Sequence, residues 1–181
     1  MRLFIGIPAP REFGTTLHGK IMPSLDRHGI FCVPQTQYHI TLAFLGEREA
    51  QELPGLFERF DHVMHDHLVS SVHCKGVITF PSGAAPRTIV TPVIEGKEQM
   101  IRIAKELRTG LGVTGRMGKS IPHLTVARVR KGTSIDRGKL VRSLGPLIDI
   151  RFIPEEIVLF RSHLERSGAR YERLRSIRLH K

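Results

Sequence analysis

The chain has 181 residues, 40% of them hydrophobic and 25% charged, a composition typical of a globular protein with a substantial interior. Its 28 Lys and Arg residues outnumber its 17 Asp and Glu residues, so the formal net charge is +11 at pH 7. Such a surface favours a polyanionic partner, and nucleic acid is the first expectation; solubility and ion-pair networks are the alternatives. The apolar stretch at 3–7 ends at Pro8 and is too short for a signal-peptide core or a membrane span. Cys32 and Cys74 have neither metal-type nor disulfide-framework spacing, so we expect a soluble, cytoplasmic protein with reduced thiols.

The hydrophobic pattern predicts alternating strands and helices along the chain. The first half predicts a strand at 2–7, a helix at 12–25, strands at 31–33 and 38–45, a helix at 47–68, and strands at 69–80 and 87–94. The second half predicts a helix at 97–111, a strand at 122–129, a helix at 137–147, and strands at 148–152, 157–164 and 171–179. Because the two halves share this order, we predict an α+β fold of two pseudo-symmetric lobes rather than a doubly wound parallel sheet.

One motif occurs in both halves, 84 positions apart: His39-Ile40-Thr41-Leu42 and His123-Leu124-Thr125-Val126. Side chains alternate along a strand, so each His shares a face with the Thr two places on, while the apolar residues point into a core. A single His-x-Thr is most often structural. Two copies in matching contexts favour a paired active site, because two imidazoles and two hydroxyls suit acid–base chemistry on a phosphate.

The glycine-rich segment at 110–120 contains partial matches to two phosphate-binding motifs. Gly110, Gly112 and Gly115 match G-x-G-x-x-G, but a predicted helix precedes them and a predicted strand follows, the reverse of the dinucleotide fingerprint. The residues at 118–120 resemble the end of a phosphate loop, but its first glycine would have to be at position 113, which is valine. We therefore interpret the segment as a flexible loop. Its Arg116 and Lys119 are further candidates for contact with substrate phosphate.

A cluster of three histidines and two aspartates falls near the end of the predicted helix at 47–68, at His62, His65, His67, Asp61 and Asp66. Neighbouring side chains of a helix diverge, so we expect a solvated face and no metal ion or other cofactor. No G-x-S-x-G motif is present, and neither cysteine has a local acid–base signature. The C-terminal arginines are equally typical of a solvated strand edge and of an RNA track; they are Arg166, Arg170, Arg173, Arg175 and Arg178.

Taken together, these motifs and their flanks resemble the 2H phosphoesterases, specifically the RNA 2′,3′-cyclic phosphodiesterases of the LigT-like or ThpR type. The resemblance is carried by residues 1–7, 38–47, 86–87, 122–128 and 159–164. It implies a single bilobal domain over 1–181 in which each half contributes one His-x-Thr-x motif to a central cleft, with antiparallel sheets around the cleft and helices outside. It further implies metal-independent hydrolysis of RNA 2′,3′-cyclic phosphate ends, or of cyclic nucleotides, to 2′-phosphomonoesters by a protein that we expect to be a monomer.

The same resemblance assigns the roles within the motifs. It implies that His39 is the proton donor, that His123 is the proton acceptor, and that Thr41 and Thr125 bind the phosphate. The residues alone do not order the two histidines, because the motifs are nearly symmetric. A reversible 2′-5′ RNA ligation is a second activity to consider. The alternatives are a non-catalytic module that binds RNA ends and a phosphodiesterase acting on another cyclic phosphate, such as that of ADP-ribose, or on 2′-5′ oligonucleotides.

Phe44 and Arg128 each lie five places after a motif histidine. Strict alternation predicts that they point away from the histidines, which indicates core packing for Phe44 and an outward salt bridge for Arg128. A bulge at the strand end, which Gly46 would permit in the first half, would instead turn them toward the cleft. There Phe44 would stack on the substrate base and Arg128 would pair with phosphate, so both are candidate substrate-binding residues.

Overall fold

The structure is a computed structural model that describes residues 1–25, 29–65, 67, 71–82, 85–114, 121–165 and 168–179. Within these ranges the chain forms ten strands and four α-helices. The strands are β1 (Arg2–Pro8), β2 (Ile30–Cys32), β3 (His39–Glu47), β4 (Val72–Lys75), β5 (Ile78–Phe80), β6 (Thr88–Glu95), β7 (His123–Val129), β8 (Asp149–Phe152), β9 (Glu156–Glu165) and β10 (Gly168–Arg178). The helices are α1 (Arg11–Leu25), α2 (Leu53–Met64), α3 (Lys97–Gly110) and α4 (Arg137–Leu144). Short 3₁₀ turns lie at Gln35–Gln37, Ala50–Glu52 and Gly145–Leu147.

The described strands form one path in the order β10-β9-β1-β3-β7-β6-β4-β8, with β2 added to β7 and β5 added to β6. Each of the pairings is antiparallel. The two strands that begin with the motif histidines, β3 and β7, are neighbours at the middle of this path. This arrangement confirms the predicted α+β class with antiparallel sheets.

The two halves repeat the same strand register. In the pairing of β1 with β3 the partners are Pro8 and His39, Gly6 and Thr41, and Ile5 and Ala43. In the pairing of β6 with β7 they are Pro92 and His123, Val90 and Thr125, and Ile89 and Ala127. Each residue of the second set follows its counterpart by 84 positions. The predicted pseudo-symmetry of the two lobes is therefore confirmed at the level of individual residue pairs.

The larger of two buried clusters joins the two halves. It contains the apolar motif residues Ile40 and Leu124 together with Ile103 and Leu107 of α3, all at most 2% exposed. The buried residues of α3 recur at intervals of three and four, the spacing of an apolar helix face, and α3 packs against β3. Since the apolar motif residues point into this core, the histidines and threonines between them point to the opposite face.

The helix predicted over 137–147 ends at Leu144 and continues as a 3₁₀ turn, and two predicted elements differ more from the structure. The helix predicted over 47–68 is shorter, because β3 continues to Glu47 and α2 begins only at Leu53, with a proline in its first turn. The strand predicted over 69–80 is divided into β4 and β5. Gly76, which lies between them, has a φ of 75°, a conformation that glycine adopts without strain and that interrupts a strand.

None of the helices in the described part of the chain has both the length and the apolar character needed to cross a membrane.

Candidate active site

An open cleft of about 560 Å³ lies over β3 and β7 on the face opposite the core. The four motif residues and the two candidate substrate-binding residues all line it: His39, Thr41, Phe44, His123, Thr125 and Arg128. The two motifs reach the same cleft because β3 and β7 pair through Ile40 and Leu124, which occupy equivalent positions in the two motifs.

Each motif imidazole is held by a backbone carbonyl two residues earlier in the chain. Nδ1 of His39 lies 2.7 Å from the carbonyl oxygen of Gln37, and Nδ1 of His123 lies 2.7 Å from that of Ile121. A carbonyl oxygen only accepts hydrogen bonds, so in both rings Nδ1 carries the hydrogen and donates it. In the neutral rings Nε2 is therefore the unprotonated nitrogen, available to exchange a proton with a bound ligand.

The surroundings of the two rings oppose positive charge. Burial lowers the pKa of His39 to about 4, the hydrogen bond to Gln37 opposes this shift, and the positive charges of Arg128 and His123 add to it. Burial also lowers the pKa of His123, opposed by its hydrogen bond to Ile121. Both rings are thus neutral in the ligand-free protein at pH 7. An anion bound between them would favour their protonated forms.

Aromatic rings form much of the wall around the histidines. The ring centroids of Phe4, Tyr171 and Phe160 lie 5.0, 5.1 and 6.0 Å from that of His39. On the other side of the cleft, the ring of Phe80 contacts His123 edge-on at 5.0 Å. These rings contribute to the partial burial of the imidazoles that lowers their pKa values.

A β-bulge in β3 brings Phe44 to the cleft. Thr41 and Ala43 pair with adjacent residues of β1, so Leu42 is an extra residue in the ladder. Leu42 and Ala43 are both buried, and the alternation of side chains is reversed beyond them. The core packing expected for Phe44 from strict alternation is therefore wrong: its side chain is 62% exposed and lines the cleft.

The equivalent bulge occurs in β7. Thr125 and Ala127 pair with adjacent residues of β6, and Val126 is the extra residue between them. Arg128 consequently lines the cleft instead of forming the outward salt bridge that strict alternation predicts. In both strands this bulge directly follows the motif threonine, earlier than the strand-end position near Gly46 that we expected. A second irregularity in β3 does fall beside Gly46, between the partners of Leu3 and Phe4.

Tyr171 is a cleft residue that the sequence analysis missed. Its ring meets His39 edge-on, and its hydroxyl oxygen accepts a hydrogen bond from Nη2 of Arg128 at 3.0 Å. Tyr171 thus connects a residue of the first half with one of the second. It lies in β10, 43 positions after Arg128, and no local pattern marks it as part of the site. Arg108 of α3 is a further cleft residue missed in the same way.

Two described members of the histidine cluster near the end of α2 have separate partners. Nε2 of His67 lies 3.1 Å from a carboxylate oxygen of Glu106, and Asp61 pairs with Arg175. His62 is exposed to solvent. In the portion of the chain that the structure describes, no group of three or more His, Cys, Asp or Glu side chains is arranged to hold a metal ion.

Three of the C-terminal arginines are engaged with carboxylates on the surface. Arg170 pairs with Glu165, Arg173 with Glu156, and Arg175 with Asp61. Of the two interpretations left open by the sequence, these pairs favour the solvated strand face over an RNA track. Several residues named in the sequence analysis lie outside the described residues; they are Asp66, Gly115, Arg116, Lys119 and Arg166.

Comparison with known proteins identifies the family of the chain. The family model described as the 2′-5′ RNA ligase superfamily matches residues 24–166, which include both motifs. A Geobacillus stearothermophilus protein named RNA 2′,3′-cyclic phosphodiesterase is 31% identical over 137 residues. The matched region is 75% of this chain and 43% of that protein, so the chain spans less than half of that relative.

Two solved structures have the same fold. The TT0787 protein of Thermus thermophilus superposes with a TM-score of 0.79 at 26% identity, covering 99% of this chain and 98% of that one. E. coli LigT complexed with 3′-AMP superposes with a TM-score of 0.77 at 19% identity, covering 99% and 98%. The second likeness shows the fold alone, and both confirm the predicted LigT-like architecture. With its paired motifs, its matching family model and this fold, the chain belongs to the 2′-5′ RNA ligase superfamily of 2H phosphoesterases.

Proposed function

We propose that this chain hydrolyses RNA 2′,3′-cyclic phosphate ends to 2′-phosphomonoesters, using His39 and His123 as acid and base and requiring no metal ion. The observation that carries the proposal is the matched pair of imidazoles in one cleft, each held at Nδ1 by a carbonyl and available at Nε2. The name of the Geobacillus relative supports the same reaction. We also propose that residues 1–181 form one bilobal functional unit, in which each half contributes one motif.

The reaction is one displacement at phosphorus that is accompanied by two proton transfers, one from the attacking water and one to the leaving oxygen. Neutral His123 takes a proton from a water molecule at Nε2, and the water oxygen forms a bond to phosphorus. The bond from phosphorus to the ribose O3′ breaks, and protonated His39 gives its proton to O3′. The phosphate remains on O2′, so the product is a 2′-phosphomonoester. Exchange of protons with solvent restores the starting states of both histidines.

The ligand-free state of His39 is neutral at pH 7, so this assignment requires substrate to promote its protonation. A cyclic phosphate is an anion, and its negative charge beside the imidazole raises the pKa of His39. Arg128 contributes to the low pKa of that histidine, and an ion pair between Arg128 and the phosphate offsets this contribution. Binding of substrate would therefore promote protonation of His39, the general acid.

The threonines supply neutral donors to the charge that develops at phosphorus. Extended by one residue to either side, the register of Ile40 and Leu124 would align His39 with Thr125 and His123 with Thr41. A phosphate between the two imidazoles would thus lie within reach of both hydroxyls, which donate to its non-bridging oxygens. Phe44, whose ring is largely exposed in the same cleft, would stack on the base of the terminal nucleotide.

Ligation follows from the same chemistry. When the 5′-hydroxyl of a second RNA takes the place of water, His123 removes the proton of that hydroxyl and His39 again protonates O3′. The product is a 2′-5′ phosphodiester. The description of the matching family supports this second reaction.

The deciding experiment is incubation with a nucleoside 2′,3′-cyclic phosphate in excess chelator, with phosphorus NMR of the products. We expect a 2′-monoester. A 3′-monoester would contradict the assignment of O3′ as the leaving group, and loss of activity in chelator would contradict metal-free catalysis. Binding of the cyclic phosphate without any turnover would favour the non-catalytic module. Parallel incubations with ADP-ribose cyclic phosphate and with a 2′-5′ oligonucleotide compare the alternative substrates.

A further inference from the structure

A second cavity, of about 450 Å³, adjoins the catalytic cleft and shares Arg128 and Ala169 with it. Its wall also includes Phe31, Pro34 and Gln37. We propose that this cavity binds the nucleotide that precedes the cyclic phosphate end, so that an RNA oligomer is a better substrate than a cyclic mononucleotide. The inference rests on the proposed function, because it extends the same substrate beyond its terminal nucleotide.

Phe31 provides the surface for the base. It lies in β2 directly opposite Arg128 of β7, and its side chain is 50% exposed. The guanidinium carbon of Arg130 lies 5.3 Å from the centre of the ring. A phenylalanine ring that is half exposed at a cavity wall and bordered by two arginines is suited to base stacking, which requires no particular sequence because every base has a π-face.

Arg128 provides the charge at the boundary between the two cavities. A polynucleotide carries one phosphate between successive nucleosides, so a chain that passes from one cavity to the other brings a phosphate to this wall. The second cavity is also lined by Glu165, a carboxylate that would repel phosphate. Its charge is offset by Arg170, whose Nε lies 2.7 Å from it. The net charge of +11 favours a polyanionic occupant over a neutral one.

Gln37 links the second cavity to catalysis. Its backbone carbonyl accepts the hydrogen bond from Nδ1 of His39 at 2.7 Å, and the residue also lines the second cavity. A nucleotide bound there contacts the segment that orients the catalytic imidazole. We therefore expect the additional nucleotide to affect the turnover number as well as the Michaelis constant.

The test compares kcat/KM for a nucleoside 2′,3′-cyclic phosphate and for a trinucleotide that ends in the same nucleoside 2′,3′-cyclic phosphate. We expect wild type to prefer the trinucleotide and Phe31→Ala to reduce that preference by about 5- to 150-fold, the range for loss of one base–aromatic stack. Ile153→Ala is the matched control, because Ile153 is 51% exposed and does not line either cavity. This control should keep the wild-type preference. Phe31→Leu, which retains bulk without the aromatic ring, replaces Phe31→Ala if that variant does not fold.

The outcomes separate this inference from the proposed function. Hydrolysis of the cyclic mononucleotide with no preference for the trinucleotide would overturn the second binding site and leave the proposed function intact. The same conclusion would follow if folded Phe31 variants kept the full preference. Failure of wild type to hydrolyse either substrate would overturn the proposed function and this inference together.

Discussion

Ile40 of β3 lies directly opposite Leu124 of β7 in an antiparallel pair. The two residues hold the same place in the two motifs, so the pair lies at the centre of the pseudo-symmetry. Extended by one residue to either side, this register would align His39 with Thr125 and His123 with Thr41. Each half of the chain therefore contributes one imidazole and one hydroxyl to the same cleft.

The two histidines should each be required for turnover. Each performs a different proton transfer, and loss of such a group costs about 10²- to 10⁴-fold in rate. We expect His39→Ala and His123→Ala each to reduce kcat on a cyclic nucleotide by this amount while circular dichroism shows an intact fold. His62→Ala, which changes an exposed histidine near the end of α2, is the control and should retain full activity. A folded variant of either motif histidine with a near-wild-type rate would refute the mechanism.

The motif threonines should matter less than the histidines. A hydrogen bond to a charged group contributes about 1.5–3 kcal/mol, which corresponds to about 10- to 150-fold in rate. We expect Thr41→Val and Thr125→Val each to slow kcat/KM within this range, measured on a nucleoside 2′,3′-cyclic phosphate. Full activity in both variants would show that the hydroxyls do not bind the phosphate.

Phe44 and Arg128 should affect the binding of substrate. Because both side chains reach the cleft, Phe44→Leu and Arg128→Met should each raise the Michaelis constant for the cyclic nucleotide. For Phe44→Leu we expect an increase of about 5- to 150-fold, the range for loss of one base stack. The two substitutions roughly preserve side-chain volume. Exposed Val141, which does not line the cleft, provides a control as Val141→Ala. Unchanged Michaelis constants in both test variants would assign these residues a structural role instead.

The pH dependence should reflect the low pKa values of both imidazoles. Catalysis requires one protonated and one neutral histidine, so kcat/KM follows a bell-shaped curve governed by the ligand-free protein. Burial lowers the pKa of His39 to about 4 and lowers that of His123 below its ordinary value of 6.5. We therefore expect a maximum of kcat/KM below pH 6.5 and a steady decline above it.

The maximum of kcat should lie at a higher pH than the maximum of kcat/KM, because bound phosphate raises the pKa of the histidines in the complex. Initial rates measured from pH 4 to 9 at low and at saturating cyclic nucleotide separate the two profiles. A maximum of kcat/KM at pH 8 would contradict the expected protonation states.

Gly6 should be required for the position of β3. A Cβ atom at this residue would lie 2.8 Å from the carbonyl oxygen of Ile40 and 3.4 Å from Cδ2 of His39. We expect Gly6→Ala to reduce the free energy of unfolding by about 1–3 kcal/mol, the usual cost of forcing atoms into a packed site, and to lower kcat by displacing the imidazole. Urea unfolding measures the free energy of unfolding, and steady-state kinetics measures kcat. Gly19→Ala in α1, where an added Cβ would meet no other part of the protein within 4 Å beyond its own helix backbone, is the control and should not destabilise the protein.

The local elements and the active-site motifs were predictable because their signals are local. Apolar residues recur at intervals of three and four in α3, and they alternate with polar residues at the start of β3 and β7. These spacings indicate which face of each element is buried. Both motifs repeat the same residue types at the same spacing, which indicated a pair. The division at Gly76 was missed because the pattern of apolar residues does not reveal a positive φ.

The sequence by itself determined the order of the elements, the two lobes and the shared face of each His and Thr, since all of these follow from periodicity within one segment. The tertiary structure alone decided which way Phe44 and Arg128 point, because a bulge is a property of the register between two strands and not of either strand. It also decided that Tyr171 meets both His39 and Arg128, because that contact depends on how the sheet brings distant strands together.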